Sequence, residues 1–566
     1  MALFTKTCPM WLMCAFALFQ ISSPVVTIYS TLSDENLVFA LILSEAHAIL
    51  VDSKSFERLI PLIKQIPSLK NVFCWVENQD SSKPNLPEDL QLEVVYVNIK
   101  MFTETPPPED VQKIEPLHPG PNDLALIMYT SGTTGPPKGV MITHDNIIST
   151  IGITWPEREF WKGKVYLAYL PQAHILELIA ESVMSLHGGS LGFGHPFTLF
   201  DNSPMIIPGT HGDAVALRPT FFATVPLLCD RIKKAALEKI EKSSEIKKII
   251  FETAYNIKLN YLRAGLETPY LDKKIFKVFK DVLGGSASHA FIGGASLNRE
   301  TEDFFSACFG RFKLAFGLTE TCCAGALSNF DYWRTGNCGP ITKCVELKLI
   351  PWEEGNYNPS DKNPRGEICI SGKPVSSGYY KNQEETDKAF IKDEKTGKIW
   401  FRTGDIGEIL PDGTLRIVDR RKDIIKLKHG EYLSLVRVEQ IIIQLKLVDM
   451  VCVMPNADCD YLVALIVPNR EFCKEFFSKL DKKYHKMHIE DLLKDENATS
   501  KLRDEIAKNL QEMKCLDKYE TPKKFFILSD LWTAESGILT PSAKLRRPII
   551  AEKYKHLIKP NQDTPI

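Results

Sequence analysis

Tyr129-Thr130-Ser131-Gly132-Thr133-Thr134-Gly135-Pro136-Pro137-Lys138-Gly139 follows directly on Leu124 to Met128, an apolar run that reads as a buried strand. Glycines and small hydroxyl residues at this density let backbone N–H and side-chain O–H groups close around a polyphosphate, and Lys138 adds a mobile positive charge. A Walker A loop is a different object, with four residues between its first glycine and Gly-Lys. Here two residues separate Gly132 from Gly135, and two prolines precede the lysine. Val140 to Thr143 reads as another strand rather than as the start of a helix. The stretch is a phosphate-type loop between two strands.

Outward from that loop the pattern is α/β. From Leu124 to Val345, apolar runs typical of buried strands alternate with longer helical patterns. Upstream, prolines crowd the stretch from Pro84 to Pro121 and mark a surface connection rather than a core element. Met10 to Ile21 is nearly all apolar behind a lone Lys6, without a clear cleavage site and short of the about 20 residues a membrane span wants. It leads into Pro24-Val25-Val26-Thr27-Ile28-Tyr29, so a helix then a strand inside a folded domain is expected, with the chain beginning partway through that domain. A second domain is expected from near Asp419, ending in strand-like Phe525 to Leu528 and a basic tail.

Composition sets the outer bounds. A chain of 566 residues is too long for one core and implies two domains or more. A formal net charge of -2 excludes a nucleic-acid-binding field over the whole molecule. The 14 cysteines are scattered, with one adjacent pair (Cys322-Cys323) and no CxxC, which reads as reduced thiols in a cytosolic setting rather than a zinc site or disulfide scaffold. The sequon Asn497-Ala498-Thr499 reads as a chance match. Between Arg231 and Lys280 stand 13 Lys/Arg against 6 Asp/Glu. The ordinary meaning is a solvated helical face, and the sharper one is a membrane-surface patch.

Three further segments follow in order: Ala315-Phe316-Gly317-Leu318-Thr319-Glu320, Phe401-Arg402-Thr403-Gly404-Asp405, and Asp419-Arg420-Arg421-Lys422-Asp423-Ile424-Ile425-Lys426. With the loop at 129–139 they resemble the ordered motifs of the adenylate-forming superfamily, which includes acyl-CoA synthetases, luciferases and the adenylation domains of peptide synthetases. Leu170-Pro171-Gln172-Ala173-His174-Ile175-Leu176-Glu177, Gly430-Glu431-Tyr432-Leu433-Ser434 and the tail from Trp532 to Arg547 resemble the long-chain fatty acyl-CoA synthetases. Ala180-Glu181-Ser182 and Pro196-Phe197-Thr198-Leu199 are most similar to the arachidonate-preferring branch. The likeness runs from about Pro9 to the C-terminus and implies a shortened N-terminus. It implies an α/β fold: a large N-terminal adenylate-forming domain with mixed β-sheets and helices over 1–418, and a small, mobile α+β C-terminal lid domain over 419–566.

The implied reaction sets the electrostatic problem. A carboxylate must attack the α-phosphorus of ATP, and like charges about 4 Å apart repel by about 4 kcal/mol at an effective dielectric of about 20. Cations and oriented dipoles must therefore be in place beforehand. By resemblance, Thr130, Ser131, Gly132, Thr133, Thr134, Gly135 and Lys138 hold the phosphates, Glu320 and Thr133 hold Mg2+, and Thr319 touches the α-phosphate. Lys544, in Thr540-Pro541-Ser542-Ala543-Lys544, is the implied mobile cation, while Arg546 and Arg547 beside it are expected to be solvated. Phe316, where the family more often has tyrosine, offers a face to adenine, beside Gly294, Ala295 and Ser296. Asp405, acceptor-only when ionised, can take both ribose hydroxyls, with Arg420 also on the nucleotide. His174 is implied at the carboxylate site.

For the thiol step the resemblance implies rotation about Asp419, which withdraws Lys544 and brings in Lys422, Lys426, Gly430 and Glu431 on the coenzyme A side. The implied partners are a long-chain fatty acid, coenzyme A and a peripheral membrane contact, with no nucleic acid. The implied place is cytosol-facing, at the endoplasmic reticulum or outer mitochondrial membrane. Two readings compete: an adenylate former acting on another carboxylic acid, and an inactive or lipid-binding fragment of such an enzyme.

Overall fold

The computed structural model describes residues 1–76, 92–104, 111, 115, 117–130, 137–201, 203, 205–331, 334–428, 430–456, 458–534, 536–540 and 544–558. Its first sheet has seven strands in the order Glu93–Val97, Asn71–Trp75, Ala48–Asp52, Ala2–Phe4, Val25–Thr27, Leu124–Thr130, Lys138–Thr143. All neighbours run parallel except the last pair. The apolar run near the start forms helix Pro9–Gln20 before strand Val25–Thr27, as expected. The helix buries Met10, Trp11, Leu12, Ala15 and Leu18 in the main core. The proline-rich stretch is corrected in one respect. Glu93–Val97 within it is an edge strand paired in register with Asn71–Trp75, its Val-Val-Tyr-Val run outweighing the prolines on either side.

A second, six-stranded sheet runs Ala326–Leu327, Arg311–Phe316, His289–Ile292, Phe221–Thr224, Val165–Ala168, Ser190–Phe193, parallel but for the first, short strand. Its inner strands Phe221–Thr224 and Val165–Ala168 are almost wholly buried, as helices on both faces of a parallel sheet require, while edge strand Ser190–Phe193 is not. A third sheet is antiparallel, with Val345–Ile350, Arg365–Gly372, Ile399–Ile409 and Phe390–Lys392 in that order and Leu415–Arg420 paired to Ile399–Ile409.

Beyond Arg420 the chain forms a two-stranded ribbon, Ile424–Lys426 with Tyr432–Ser434. It then builds a three-stranded sheet, Val448–Pro455, Leu462–Pro468 and Lys524–Ile527, covered by helices that include Leu435–Ile442 and Glu496–Met513. These elements close their own core around Val438, Ile442, Val453, Ala464, Phe477 and Leu502. Among the described residues, no helix is long and apolar enough to cross a membrane. None of the 14 cysteines forms a disulfide.

Candidate active site

Strands Leu124–Thr130 and Lys138–Thr143 pair antiparallel, with Thr130 opposite Lys138. Thr130 Oγ1 donates to the Lys138 carbonyl at 3.4 Å. Ser131, Gly132, Thr133, Thr134 and Gly135 lie outside the described residues. The Lys138 ammonium pairs with Glu385 and stands 5.0 Å from the centroid of the Tyr379 ring. Hydrogen bonds from Lys138 and Lys388 hold the Glu385 carboxyl down at about 2. Tyr379 O–H in turn donates to Glu320 Oε1 at 2.8 Å. Lys138 and Glu320, 182 positions apart in the sequence numbering, thus meet through one tyrosine. Nothing in the sequence singled out Tyr379 or Glu385.

Glu320 sits in a single turn, Thr319–Thr321, just past strand Arg311–Phe316. Leu318 N–H donates to Thr321 Oγ1 at 3.1 Å and closes the turn. Gly317 is required there, because a Cβ would lie 2.1 Å from the Cys323 carbonyl oxygen. Cys322 and Cys323 hold left-handed backbone at φ 48° and 65°, a conformation non-glycine residues rarely take. Phe316 is buried at the end of its strand, and Gly293 and Gly294 end the neighbouring strand His289–Ile292. Gly294 has φ +90°, and Ala295 and Ser296 follow it exposed.

Asp405 is 4% exposed and faces Arg420 across paired strands, its Oδ1 accepting from Arg420 Nε at 3.0 Å. Burial pushes the Asp405 carboxyl up, against the pull of Arg420 and Lys544. Asp419 Oδ1 accepts from the Arg420 N–H at 2.6 Å, while its buried Oδ2 has no hydrogen-bond partner. Burial raises that carboxyl to about 6.

Lys544 comes to this cluster from the far end of the chain. Thr540 N–H donates to the Lys544 carbonyl at 2.8 Å, and Lys544 N–H to Thr540 Oγ1 at 3.0 Å, which ties the two residues together. Its ammonium stands among Arg420, Asp405, Glu320 and Cys323. Burial, and then Arg420, lowers its pKa to about 8. His174 caps helix Ile175–Leu186, its Nδ1 accepting the Leu176 N–H at 3.2 Å. Burial, with Lys544 adding to it, takes the imidazole down to about 3, so it is neutral at physiological pH. Of the predicted residues, Lys138, Glu320, Asp405, Arg420, Lys544 and His174 therefore converge.

His174, Gly293, Gly294 and Thr540 also line one end of a cavity of about 1310 Å³. Ligand pockets usually run to roughly 300–1,000 Å³, so this one can take a large, mostly apolar guest beside the charged cluster. Leu228, Ile232, Phe251 and Phe279 line its length. Among the described residues no three His, Cys, Asp or Glu side chains gather as a metal site. A lone carboxylate such as Glu320 suits Mg2+, which is commonly held by one or two carboxylates plus substrate phosphates.

On the ribbon, Lys422 and Lys426 are exposed, and Lys426 lies 5.1 Å from the Tyr432 ring centroid. Gly430 turns at φ +101°, and Glu431 Oε2 is buried without a hydrogen-bond partner. Arg547 corrects the expectation of a solvated tail. Its guanidinium forms two 2.6 Å bonds to Glu439 and further bonds to Asp423 Oδ1 at 3.1 Å and the Val453 carbonyl at 2.9 Å. Arg546 is half-buried and donates to the Gly537 carbonyl at 3.2 Å. The C-terminal elements dock on helix Pro226–Glu241. Arg231 bonds both Asp449 oxygens at 3.0 and 3.3 Å, Lys233 bonds Gln444 at 3.0 Å, and Lys446 pairs with Glu241.

The family described as AMP-binding enzyme matches residues 1–380. Among curated proteins, long chain acyl-CoA synthetase 8 of Arabidopsis thaliana is 36% identical over 98% of this chain and 77% of its own length. Fatty acyl-CoA synthetase B of Dictyostelium discoideum is 31% identical over 98% of this chain and 80% of its own. Among solved structures, the A domain of a carboxylic acid reductase from Segniliparus rugosus, in complex with AMP and a co-purified carboxylic acid, shares the fold. It matches at a TM-score of 0.72 and 21% identity, covering 98% of this chain and 81% of that one. An anthranilate CoA ligase in complex with anthranoyl-AMP matches at a TM-score of 0.65 and 16% identity, over 98% and 87%.

Proposed function

This chain belongs to the AMP-binding enzyme family, together with long-chain acyl-CoA synthetases, and on that premise we propose that it is a long-chain fatty acid–CoA ligase working through an acyl-adenylate. The fatty acid carboxylate oxygen attacks the α-phosphorus of ATP and pyrophosphate leaves. The coenzyme A sulfur then attacks the acyl carbonyl, AMP leaves, and the thiol proton passes to solvent. The observation that carries this reading is the Lys544 ammonium among Asp405, Arg420 and Glu320. A cation from the C-terminal elements reaches the acidic centre of the N-terminal ones, at the head of a large cavity.

In this reading Lys544 neutralises charge between carboxylate and α-phosphate, with Thr319 beside it. Oriented cations of this kind are usually the largest catalytic term. Asp405, held by Arg420, receives the ribose hydroxyls, and Phe316 with Gly294, Ala295 and Ser296 receives adenine. Lys138 exchanges Glu385 for phosphate, joined by Thr130, Ser131, Gly132, Thr133, Thr134 and Gly135. Glu320 and Thr133 would hold Mg2+, which would supply charge screening for the pyrophosphate oxygens. Neutral His174, its Nδ1 occupied by the Leu176 N–H, donates its Nε2–H to the acid's head without adding charge.

The residues over 419–566 act as a lid that turns about Asp419 between the steps. Lys544 leaves, and Lys422, Lys426, Gly430 and Glu431 come to the coenzyme A side. Glu431 Oε2 and Asp419 Oδ2, both buried without a hydrogen-bond partner among the described residues, support a segment that satisfies them in a second arrangement. The reading includes a cytosol-facing position at the endoplasmic reticulum or outer mitochondrial membrane, which fractionation tests. It also includes a preference for polyunsaturated acids such as arachidonate, which competition among acids tests.

Purified chain given ATP, Mg2+, coenzyme A and a long-chain fatty acid should yield acyl-CoA, AMP and pyrophosphate in equal amounts. Release of ADP and phosphate would refute the adenylate route. Pyrophosphate exchange supported only by an aryl or amino acid would refute the fatty-acid assignment.

A further inference from the structure

Helix Ile175–Leu186, capped by His174, carries two carboxyls into the core one turn apart. Glu177 and Glu181 are each 0% exposed, and a spacing of four residues sets them on one face of the helix. Each meets an uncharged donor in place of a cation. Tyr166 O–H donates to Glu177 Oε2 at 2.8 Å, and Gln172 Nε2 donates to Glu181 Oε2 at 2.9 Å. The Oε1 atom of each is buried and has no hydrogen-bond partner among the described residues. An ionised carboxyl so placed is very costly, and two side by side also repel. Burial accordingly lifts both far above the ordinary carboxylate range, with the Glu181 charge adding to the lift on Glu177. Burial raises the phenols beside them, Tyr166 and Tyr169, as well, so all four groups are uncharged at neutral pH.

That neutral pair holds a wall of the cavity. Tyr169, Leu170, Pro171, Gln172 and His174 are part of its lining. Gln172 is only 2% exposed, and its amide is engaged at both ends. Its Nε2 reaches Glu181, while its Oε1 accepts the Cys8 N–H at 2.9 Å. Beside it, Thr7 Oγ1 donates to the Leu170 carbonyl at 2.6 Å, and His174 N–H to the Pro171 carbonyl at 2.9 Å. The wall is thus tied on one side to the segment entering helix Pro9–Gln20, and on the other to Glu181. A neutral acid suits this post. Its carbonyl oxygen accepts from Gln172, its O–H is free to serve a second acceptor, and no counter-ion has to enter the wall.

We propose that Glu181, kept as a neutral acid, and Gln172 are positioning residues that fix the wall carrying His174 and so the place of the substrate's carboxyl head. Neither touches the reacting atoms. The identity of that substrate rests on the ligase reading, whereas the neutral pair and its bridge to Cys8 do not.

Three variants of the full chain test this, with the Kd for a long-chain fatty acid and the Kd for ATP each measured by calorimetric titration. Glu181→Gln keeps both the acceptor for Gln172 and the neutrality, so both Kd values and the melting temperature should stay parental. Glu181→Leu and Gln172→Leu cut the bridge from either side. Each should weaken fatty-acid binding about tenfold, the worth of one well-placed hydrogen bond, and leave ATP binding unchanged. Should Glu181→Leu fail to fold, Gln172→Leu decides the matter. Infrared spectra at neutral pH should show a protonated-carboxyl band in the parent that weakens in Glu181→Gln. Parental fatty-acid binding in the leucine variants, equal weakening of both ligands, or a Glu181→Gln as impaired as Gln172→Leu would each overturn the proposal. So would an infrared band that Glu181→Gln leaves unchanged. The expected pattern of binding in a chain that forms no acyl-CoA would overturn the ligase reading and uphold the positioning role.

Discussion

Lys544, half-buried, is the cation proposed to meet the substrate's anions, and its environment makes that role measurable. Lys544→Ala should lower adenylate formation by about 100- to 1,000-fold, the usual loss for one preorganised donor. Thioester formation from supplied acyl-adenylate should be nearly unchanged, and equal loss of both steps would remove Lys544 from its assigned place. The lysine is lowered from 10.5 to about 8 in the free protein, so its charge is present below that pH and lost above it. The kcat/KM for ATP in adenylate formation, which reports the free enzyme, should therefore fall as pH rises through about 8. The kcat should hold to higher pH, since bound phosphates favour the charged lysine. A pH-independent kcat/KM up to 10 would contradict this.

At the scale of single elements, two tight constructions carry the site. The turn from Gly317 to Cys323 leaves no room for a methyl group, because a Cβ at Gly317 would meet backbone oxygen at 2.1 Å. Gly317→Ala should cost about 2 kcal/mol or more of stability and raise the KM for ATP, as Glu320 and Phe316 are displaced together. Calorimetry and nucleotide titration read both, and a variant with parental stability and KM would show the turn to be pliable. Arg547 clamps helix Leu435–Ile442 through Glu439 and ties it to Asp423 on the turn leading into the ribbon. Arg547→Ala leaves two carboxylates without their cation and should destabilise the C-terminal elements by about 3–5 kcal/mol in denaturant melts. Arg547→Lys should recover little, because an ammonium cannot span both Glu439 oxygens.

Across the whole molecule, the position of Lys544 depends on a contact remote from it. Arg231 with Asp449, Lys233 with Gln444 and Lys446 with Glu241 hold the C-terminal elements on helix Pro226–Glu241. Exposed pairs contribute about 0–1 kcal/mol each, and a dock of that depth is what the proposed turning of the lid requires. Asp449→Lys sets like charges against each other and should slow adenylate formation about fivefold. The second half-reaction should stay unchanged or gain. Equal slowing of both, measured in separate assays, would mean that the contact does not govern the lid.

The sequence by itself determined the order of the motifs and the kind of chemistry, because a strand, a glycine–hydroxyl loop and a lysine are local patterns with local meanings. It also determined the alternation of strand and helix and the helix-then-strand order that starts within Met10 to Ile21, since both follow from where apolar residues fall along the chain. What only the tertiary structure decided are contacts between segments far apart in the chain. Tyr379 and Glu385 lie in no recognisable pattern and matter because folding sets them between Lys138 and Glu320. Arg547 looked like one more residue of a basic tail and proved to be the centre of a buried clamp. The cavity was equally illegible, because a void is a property of how helices pack and leaves no periodic trace in any one of them.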